Sequence, residues 1–257
     1  MASDPDQEAK LATLLGQLAN TRPDLGLELD NAGREFVPLA AIPKMELDRW
    51  LADTATLAEG IDERTAAAYL LSILVWKLGE ILAALHLGGA ILEIDVAVQY
   101  AVSGSGRSGG IQFHFAVSPA TRHGSCQRSI NQAIVDLHEP MVNALFDRTG
   151  LSRRALWRLV TDGIAGGFLE RGKRSGDTDR ARAAASTLLS KTDSPLHNLQ
   201  WGFVEIVIAG APAEWFRLRG GCCRLYRSVG GIYCTTCVVR QAEIEGLSVH
   251  VARGRAS

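Results

Sequence analysis

Four of the five cysteines fall in one short stretch near the end of the chain, Cys222-Cys223 followed by Cys234 and Cys237, a spacing of C-C-x10-C-x2-C. Thiolates are soft anionic ligands, so four of them brought together favour zinc or an iron–sulfur cluster over magnesium, calcium or manganese. Structural zinc sites usually draw their sulfurs from two C-x2-4-C knuckles, and only Cys234-Thr-Thr-Cys237 has that form. Side chains of adjacent residues diverge in an extended backbone, so Cys222 and Cys223 reach one small ion only with strain. A two-iron cluster is wider and accepts more divergent sulfurs. A structural zinc ion holding a binding module together stays open as the other reading of the same residues.

Five arginines accompany the sulfurs, Arg217, Arg219, Arg224, Arg227 and Arg240, while the nearest acids, Glu214 and Glu243, lie outside that stretch. Two ferric ions, two sulfides and four thiolates sum formally to about −2, and to about −3 after reduction. Arginine supplies fixed positive charge and N–H donors to sulfur, which stabilise the reduced state. Ordinary solvated surface charge accounts equally well for any one of these arginines, but less well for five with no acid among them.

The run Arg219-Gly-Gly-Cys222-Cys223-Arg-Leu-Tyr226-Arg, then Cys234-Thr-Thr-Cys237, resembles the C-terminal signature of the FhuF-type ferric siderophore reductases. The cysteine spacing agrees throughout, and the chain length and a helical stretch around Leu156-Trp157 are compatible. The chain departs in having Val238-Val239 after the last cysteine, where the family often shows a proline. Upstream of about residue 200 the likeness is general, so no siderophore-binding residue carries over. The resemblance implies a [2Fe–2S] cluster on Cys222, Cys223, Cys234 and Cys237 and no catalytic residue beyond it. The reaction implied is one-electron reduction of siderophore-bound Fe(III), in iron transport. Its implied partners are a ferric siderophore and an external electron donor, a ferredoxin or a reductase, with room for peripheral association with the inner membrane. Arg217, Arg219, Arg224, Arg227, Trp215 and Tyr226 are candidates for binding substrate or tuning the cluster; packing around the cluster explains the aromatics equally well. An iron–sulfur electron carrier with no siderophore substrate is the further alternative.

Composition fits that frame. The chain has 257 residues, 47% hydrophobic and 21% charged, with a formal net charge of −1. That balance gives no global attraction to nucleic acid, and positive charge is local, in the cysteine stretch and between Arg171 and Arg182. An acidic start with Asp4, Asp6 and Glu8 lacks the apolar core of a secretory signal. The apolar run Thr65–Trp76 is too short to span a bilayer, and Lys77 and Glu80 interrupt its continuation. A cytoplasmic location is expected, where clustered thiols serve metal or redox chemistry more often than disulfides. Cys126 reads as a free thiol.

The elements that must carry the cysteines are mostly helical. Helices are expected from about Gln7 to Ala19, ended by Pro23, and from Met45 to Leu57. A long one runs from an Asp62 cap to Leu87, stopped by Gly88-Gly89, and is apolar on nearly every face. Leu27–Leu29 and Phe36–Leu39 are weak strand candidates. Ile91–Val102 and Ile111–Val117 alternate as an antiparallel hairpin. Helices follow at Ser129–Phe146, Ser152–Leu169 and Thr178–Leu189, and Trp201–Ala209 is apolar enough for a helix or a strand. The expectation is an α+β fold: a helix-rich main domain with a small antiparallel sheet over residues 1–210, and a cluster-binding segment over 211–257.

Other chemistry is faint. The six histidines show no two-on-one-helix-face spacing; His86 reads as a helix-end contact and His138 as polar surface. The glycines from Gly104 to Gly110 lack the Lys-Ser/Thr ending of a phosphate loop, and Ser105 lacks the strand-to-helix setting of a nucleophile. Asp136 with Glu139 and Glu93 with Asp95 read as solvated faces. No G-x-G-x-x-G opens a βαβ unit, so electrons must come from outside the chain.

Overall fold

The structure, a computed structural model, describes residues 5–29, 35–90, 94–103, 110–119, 129–206, 212–231, 233–234, 236–240 and 249–252. Cys126, Glu93 and the loop 104–109 lie outside these residues. The fold is α+β. Among the described residues seven helices, α1 (Pro5–Thr21), α2 (Ile42–Met45), α3 (Leu47–Ala55), α4 (Glu63–Leu87), α5 (Ile130–Thr149), α6 (Arg153–Ser175) and α7 (Thr178–Leu189), accompany strands in two small sheets.

The centre is α4. The Asp62 side chain caps it by accepting from the Thr65 N–H at 2.7 Å, satisfying one of the donors a helix start leaves free. Its most apolar stretch has a mean hydropathy of 1.7, and 67% of that stretch is buried within the fold. Helices α1, α3, α5, α6 and α7 all pack against it. The closest partner is α6, which crosses where glycines meet. A Cβ on Gly167 would stand 2.2 Å from the Gly79 carbonyl carbon, so only glycine lets the two backbones approach this far. Leu71, Leu74, Val75, Leu78, Ile164 and Phe168 fill the core around that crossing. Glu80, one residue on, is fully buried and ion-paired with Arg22 from the end of α1, with Arg174 of α6 at 3.4 Å. The charge that interrupts the apolar run is therefore an interior ion pair.

Strands β1 (Leu27–Glu28), β2 (Val37–Pro38), β3 (Ile94–Ser103) and β4 (Gly110–Pro119) form one sheet in the order β1-β4-β3-β2. The β3–β4 hairpin runs antiparallel from Ile94 opposite Pro119 to Ser103 opposite Gly110. It packs on α3 through Trp50, Tyr100, Phe113 and Phe115. The Tyr100 hydroxyl, buried there, meets Thr54 Oγ1 at 2.9 Å and donates to the Trp50 carbonyl at 3.1 Å.

Two expectations change. The helix expected over Met45–Leu57 is α3, Leu47–Ala55, and Met45 instead ends the separate short helix α2, the two parted at Glu46 by its non-helical φ and ψ. His138 is not surface: it is 1% exposed, and its Nδ1–H donates to the Ile134 carbonyl one turn back at 2.8 Å. Burial pushes its pKa down to about 4.

The segment Trp201–Ala209 resolves as a strand, β5 (Gly202–Ile206), the centre of a second sheet. It pairs antiparallel with β6 (Glu214–Leu218) on one side and β7 (Val249–Ala252) on the other. The expected boundary near residue 211 thus falls between paired strands, and β6 also lies against α6.

Candidate metal centre

The cysteines hang between β6 and β7, and α6 fixes their approach. Asp162, in the middle of α6 and 2% exposed, turns its carboxylate toward the end of β6. Its two oxygens accept the N–H groups of Gly220 and Gly221, each at 2.9 Å. Arg217 donates to the Asp162 main-chain carbonyl, and Arg219 Nε stands 3.6 Å from Asp162 Oδ2. The turn presses directly on α6, since a Cβ on Gly221 would come within 2.9 Å of the Leu159 nitrogen. Gly221 is thus required by proximity, whereas a Cβ on Gly220 would meet the end of the Asn198 side chain.

Cys222 and Cys223 follow at once. Arg224 has a left-handed backbone, φ 62°, uncommon for a residue with a side chain. That turn aims the Arg224 N–H at Cys222 Sγ, 3.3 Å away, while its guanidinium lies 3.6 Å from Asp62 at the start of α4. The chain makes a 3-10 turn over Leu225–Arg227 and is held to the α3–α4 connection by the Val229 N–H on the Glu59 carbonyl, 2.7 Å. It then returns through Tyr233 to Cys234. There the Cys237 N–H donates to the Cys234 carbonyl at 3.1 Å, the tight turn expected of a C-x2-C knuckle. Tyr226 and Tyr233 stack at 5.0 Å between ring centres, joining the two cysteine-bearing arms.

All four thiols line one cleft that is partly open to solvent, with Arg219, Tyr226 and Tyr233 also in its wall. Cys223 Sγ lies 3.7 Å from Cys234 Sγ. The buried Arg219 guanidinium reaches both sulfurs, donating to Cys234 at 3.0 Å and lying 3.9 Å from Cys223. Cys223 and Cys234 titrate as a pair. The thiol hydrogen bond between them, aided by Arg219, favours the first thiolate on Cys223, and the same bond holds the Cys234 proton well above the ordinary thiol range. Burial pushes the Cys222 thiol up. On α4, Tyr69 is raised by burial first and then by the charge of Cys223 and Cys234, so the central helix borders the site as well.

Among the described residues no three His, Cys, Asp or Glu side chains are gathered closely enough to hold a single metal ion. With all four thiols in one cleft and a cation donating to sulfur, Cys222, Cys223, Cys234 and Cys237 are the residues there that could hold a metal or a cluster. The other candidates divide. Tyr226 and Arg219 are in the cleft wall. Arg224 contributes its backbone N–H, and its side chain goes to Asp62. Arg227 is exposed beside the cleft segment. Arg217 belongs to the Asp162 anchor. Trp215 lies apart from the cleft, beneath Arg182 of α7, whose guanidinium carbon is 3.3 Å from the ring centre. Position along the chain explains the difference, because β6 runs beside α6, with Trp215 under Arg182 of α7, before the chain turns toward the sulfurs. Asp162 is the residue that sequence reasoning passes over. Its signal is an acid in the apolar stretch Leu159-Val-Thr-Asp-Gly-Ile-Ala-Gly-Gly-Phe168, which must find a buried partner.

Comparison with known proteins gives no match to a family model, to a curated protein or to a solved structure.

Proposed function

We propose that the chain is a cytoplasmic ferric siderophore reductase in which Cys222, Cys223, Cys234 and Cys237 would hold a [2Fe–2S] cluster. The observation that carries this reading is the single cleft lined by all four thiols, with the Arg219 guanidinium on two of them. When bound, the cluster supplies one-electron chemistry, passing single electrons from an external donor protein to the substrate. That substrate, a siderophore-bound Fe(III), gains one electron and becomes Fe(II). Hard anionic oxygens hold Fe(II) far less well, so the chelate loosens and iron is released.

The protein's own groups have three tasks. Arg219 gives positive charge and an N–H donor to sulfur in a buried setting, which favours the reduced state. Tyr226 and Tyr233 form an aromatic wall at the cleft, and Tyr233 is 44% exposed. Arg227 and Arg240, both exposed, give the rim the positive charge that draws in an anionic chelate.

The test is anaerobic purification followed by visible absorption, electron paramagnetic resonance, and iron and sulfide analysis. Rapid mixing of the reduced protein with several ferric siderophores then follows. The expected result is a brown protein whose cluster reoxidises as Fe(II) appears, and whose colour and turnover are lost in Cys→Ser variants at 222, 223, 234 or 237. Stoichiometric zinc without sulfide refutes the cluster. A cluster that no ferric siderophore reoxidises leaves an electron carrier instead.

A further inference from the structure

Asp162 reaches the cysteine turn from the helical core, and its side-chain contacts converge on the three residues before Cys222. Both carboxylate oxygens are taken by consecutive peptide N–H groups, of Gly220 and Gly221. On the same carboxylate, Arg219 Nε stands at 3.6 Å, and the other end of that guanidinium reaches Cys234 Sγ at 3.0 Å. Arg217, donating to the Asp162 carbonyl, holds the preceding residues to the same turn of α6. The chain from Arg217 to Gly221 is thereby laid against α6 with little freedom, because a Cβ on Gly221 would come within 2.9 Å of the Leu159 nitrogen. At 3.6 Å the carboxylate attracts the guanidinium without a hydrogen bond, and that attraction draws Arg219 to this side of the turn while its Nη1 meets Cys234.

We infer that Asp162 is a positioning residue for the cysteine site. Its carboxylate fixes the Gly220-Gly221 turn and the aim of Arg219, and so sets both where Cys222 and Cys223 stand and the reduction potential of a cluster held there. This inference rests on the cluster reading above. The sign follows from charge. Asp162 is a buried negative group that offsets Arg219, and reduction adds a further negative charge to the cluster. Asp162 therefore opposes reduction and keeps the potential lower than Arg219 alone would set it. In Asp162→Asn the negative charge is gone, and the amide NH2 faces a glycine N–H, donor to donor, so one of the two bonds to the turn is lost.

The experiment compares wild-type and Asp162→Asn protein, reconstituted anaerobically, by far-ultraviolet circular dichroism, iron and sulfide content, and redox titration. Amide hydrogen exchange at Gly220 and Gly221 is measured in the metal-free wild type. The expected results are helical signal as in wild type and a reduction equilibrium at least tenfold more favourable in Asp162→Asn, about 59 mV for one electron. The two wild-type glycine amides should exchange as slowly as amides of α6. An unchanged potential at full iron content overturns the inference, as do glycine amides that exchange like those of an exposed loop. Should Asp162→Asn lose its helical signal, Gly221→Ala displaces the same turn without altering charge. That variant should take up less than half the wild-type iron, and full uptake with an unchanged potential overturns the inference. A wild type that takes up neither iron nor sulfide refutes the cluster reading instead, and the exchange result alone then decides whether Asp162 holds the turn.

Discussion

Gly167→Ala adds a single methyl group at the point where α4 and α6 come closest. The new carbon would stand 2.2 Å from the Gly79 carbonyl carbon and 2.4 Å from both the Glu80 nitrogen and the Gly79 oxygen, all of them backbone atoms that cannot rotate aside. Ordinary contact begins near 3.4 Å, so the helices must part by about 1 Å. A gap of that size forfeits roughly a quarter to a half of each dispersion contact it opens, and Leu71, Leu74, Val75, Leu78, Ile164 and Phe168 line this interface. Overpacking of this kind costs about 3 kcal/mol, while the better helix propensity of alanine returns about 1 kcal/mol. The net loss is about 2 kcal/mol. With a urea slope of about 2 kcal/mol per molar, the unfolding midpoint falls by about 1 M. Urea titration followed by circular dichroism measures it, with Gly16→Ala in α1 as the control. There the nearest outside atom is 4.0 Å away, and the same substitution should leave stability equal or slightly raised. A Gly167→Ala midpoint equal to wild type would refute the close crossing of α4 and α6, and with it the rigid support beneath Asp162.

Arg219→Gln removes the cation from Cys234 and leaves Asp162 ionised in the core with only its peptide donors and Arg217. The expected loss is about 3 kcal/mol, read by urea titration, together with a lower reduction potential for a reconstituted cluster, the opposite direction to Asp162→Asn. His138 gives a pH dependence of determined sign. Its folded pKa, about 4, lies below the ordinary 6.5, so the unfolded chain binds the extra proton first as pH falls. Stability from this group is complete above about pH 6.5 and is lost between there and pH 4, a total of about 3 kcal/mol. Urea midpoints across that range should show the loss in wild type, and the His138→Gln profile should be flatter by that amount; parallel profiles would contradict it.

Much of the framework was legible because it depends on local rules. The Asp62 cap and the Gly88-Gly89 stop bound α4 where the sequence places them, and the alternation of β3 and β4 makes the hairpin. Thr178–Leu189 is α7 to the residue. What local rules leave out is long-range pairing. Nothing near Trp201–Ala209 tells a strand from a helix, because β5 is defined by partners 8 to 49 residues away. Glu80 and His138 look like interruptions of apolar faces until Arg22 and the Ile134 carbonyl arrive as partners. At the site, the spacing of the four cysteines pointed to one shared cleft. It held no information on which arginine reaches sulfur, because that choice is made by Asp162, almost sixty residues earlier in the chain.

The pairing of β5 with both β6 and β7 has a bearing on how the thiols behave without metal. Strands β6 and β7 lie at the two edges of a three-stranded sheet, and the cysteine stretch leaves the body after the first of them. It forms a purse whose drawstring is backbone hydrogen bonding, independent of anything the sulfurs hold. Emptying such a purse slackens its contents while the hem stays sewn, and the entropy of bringing the ends together has already been met by the strands. The thiols therefore remain neighbours with or without a bound group, and loading of the kind proposed above would be a local event on a standing scaffold.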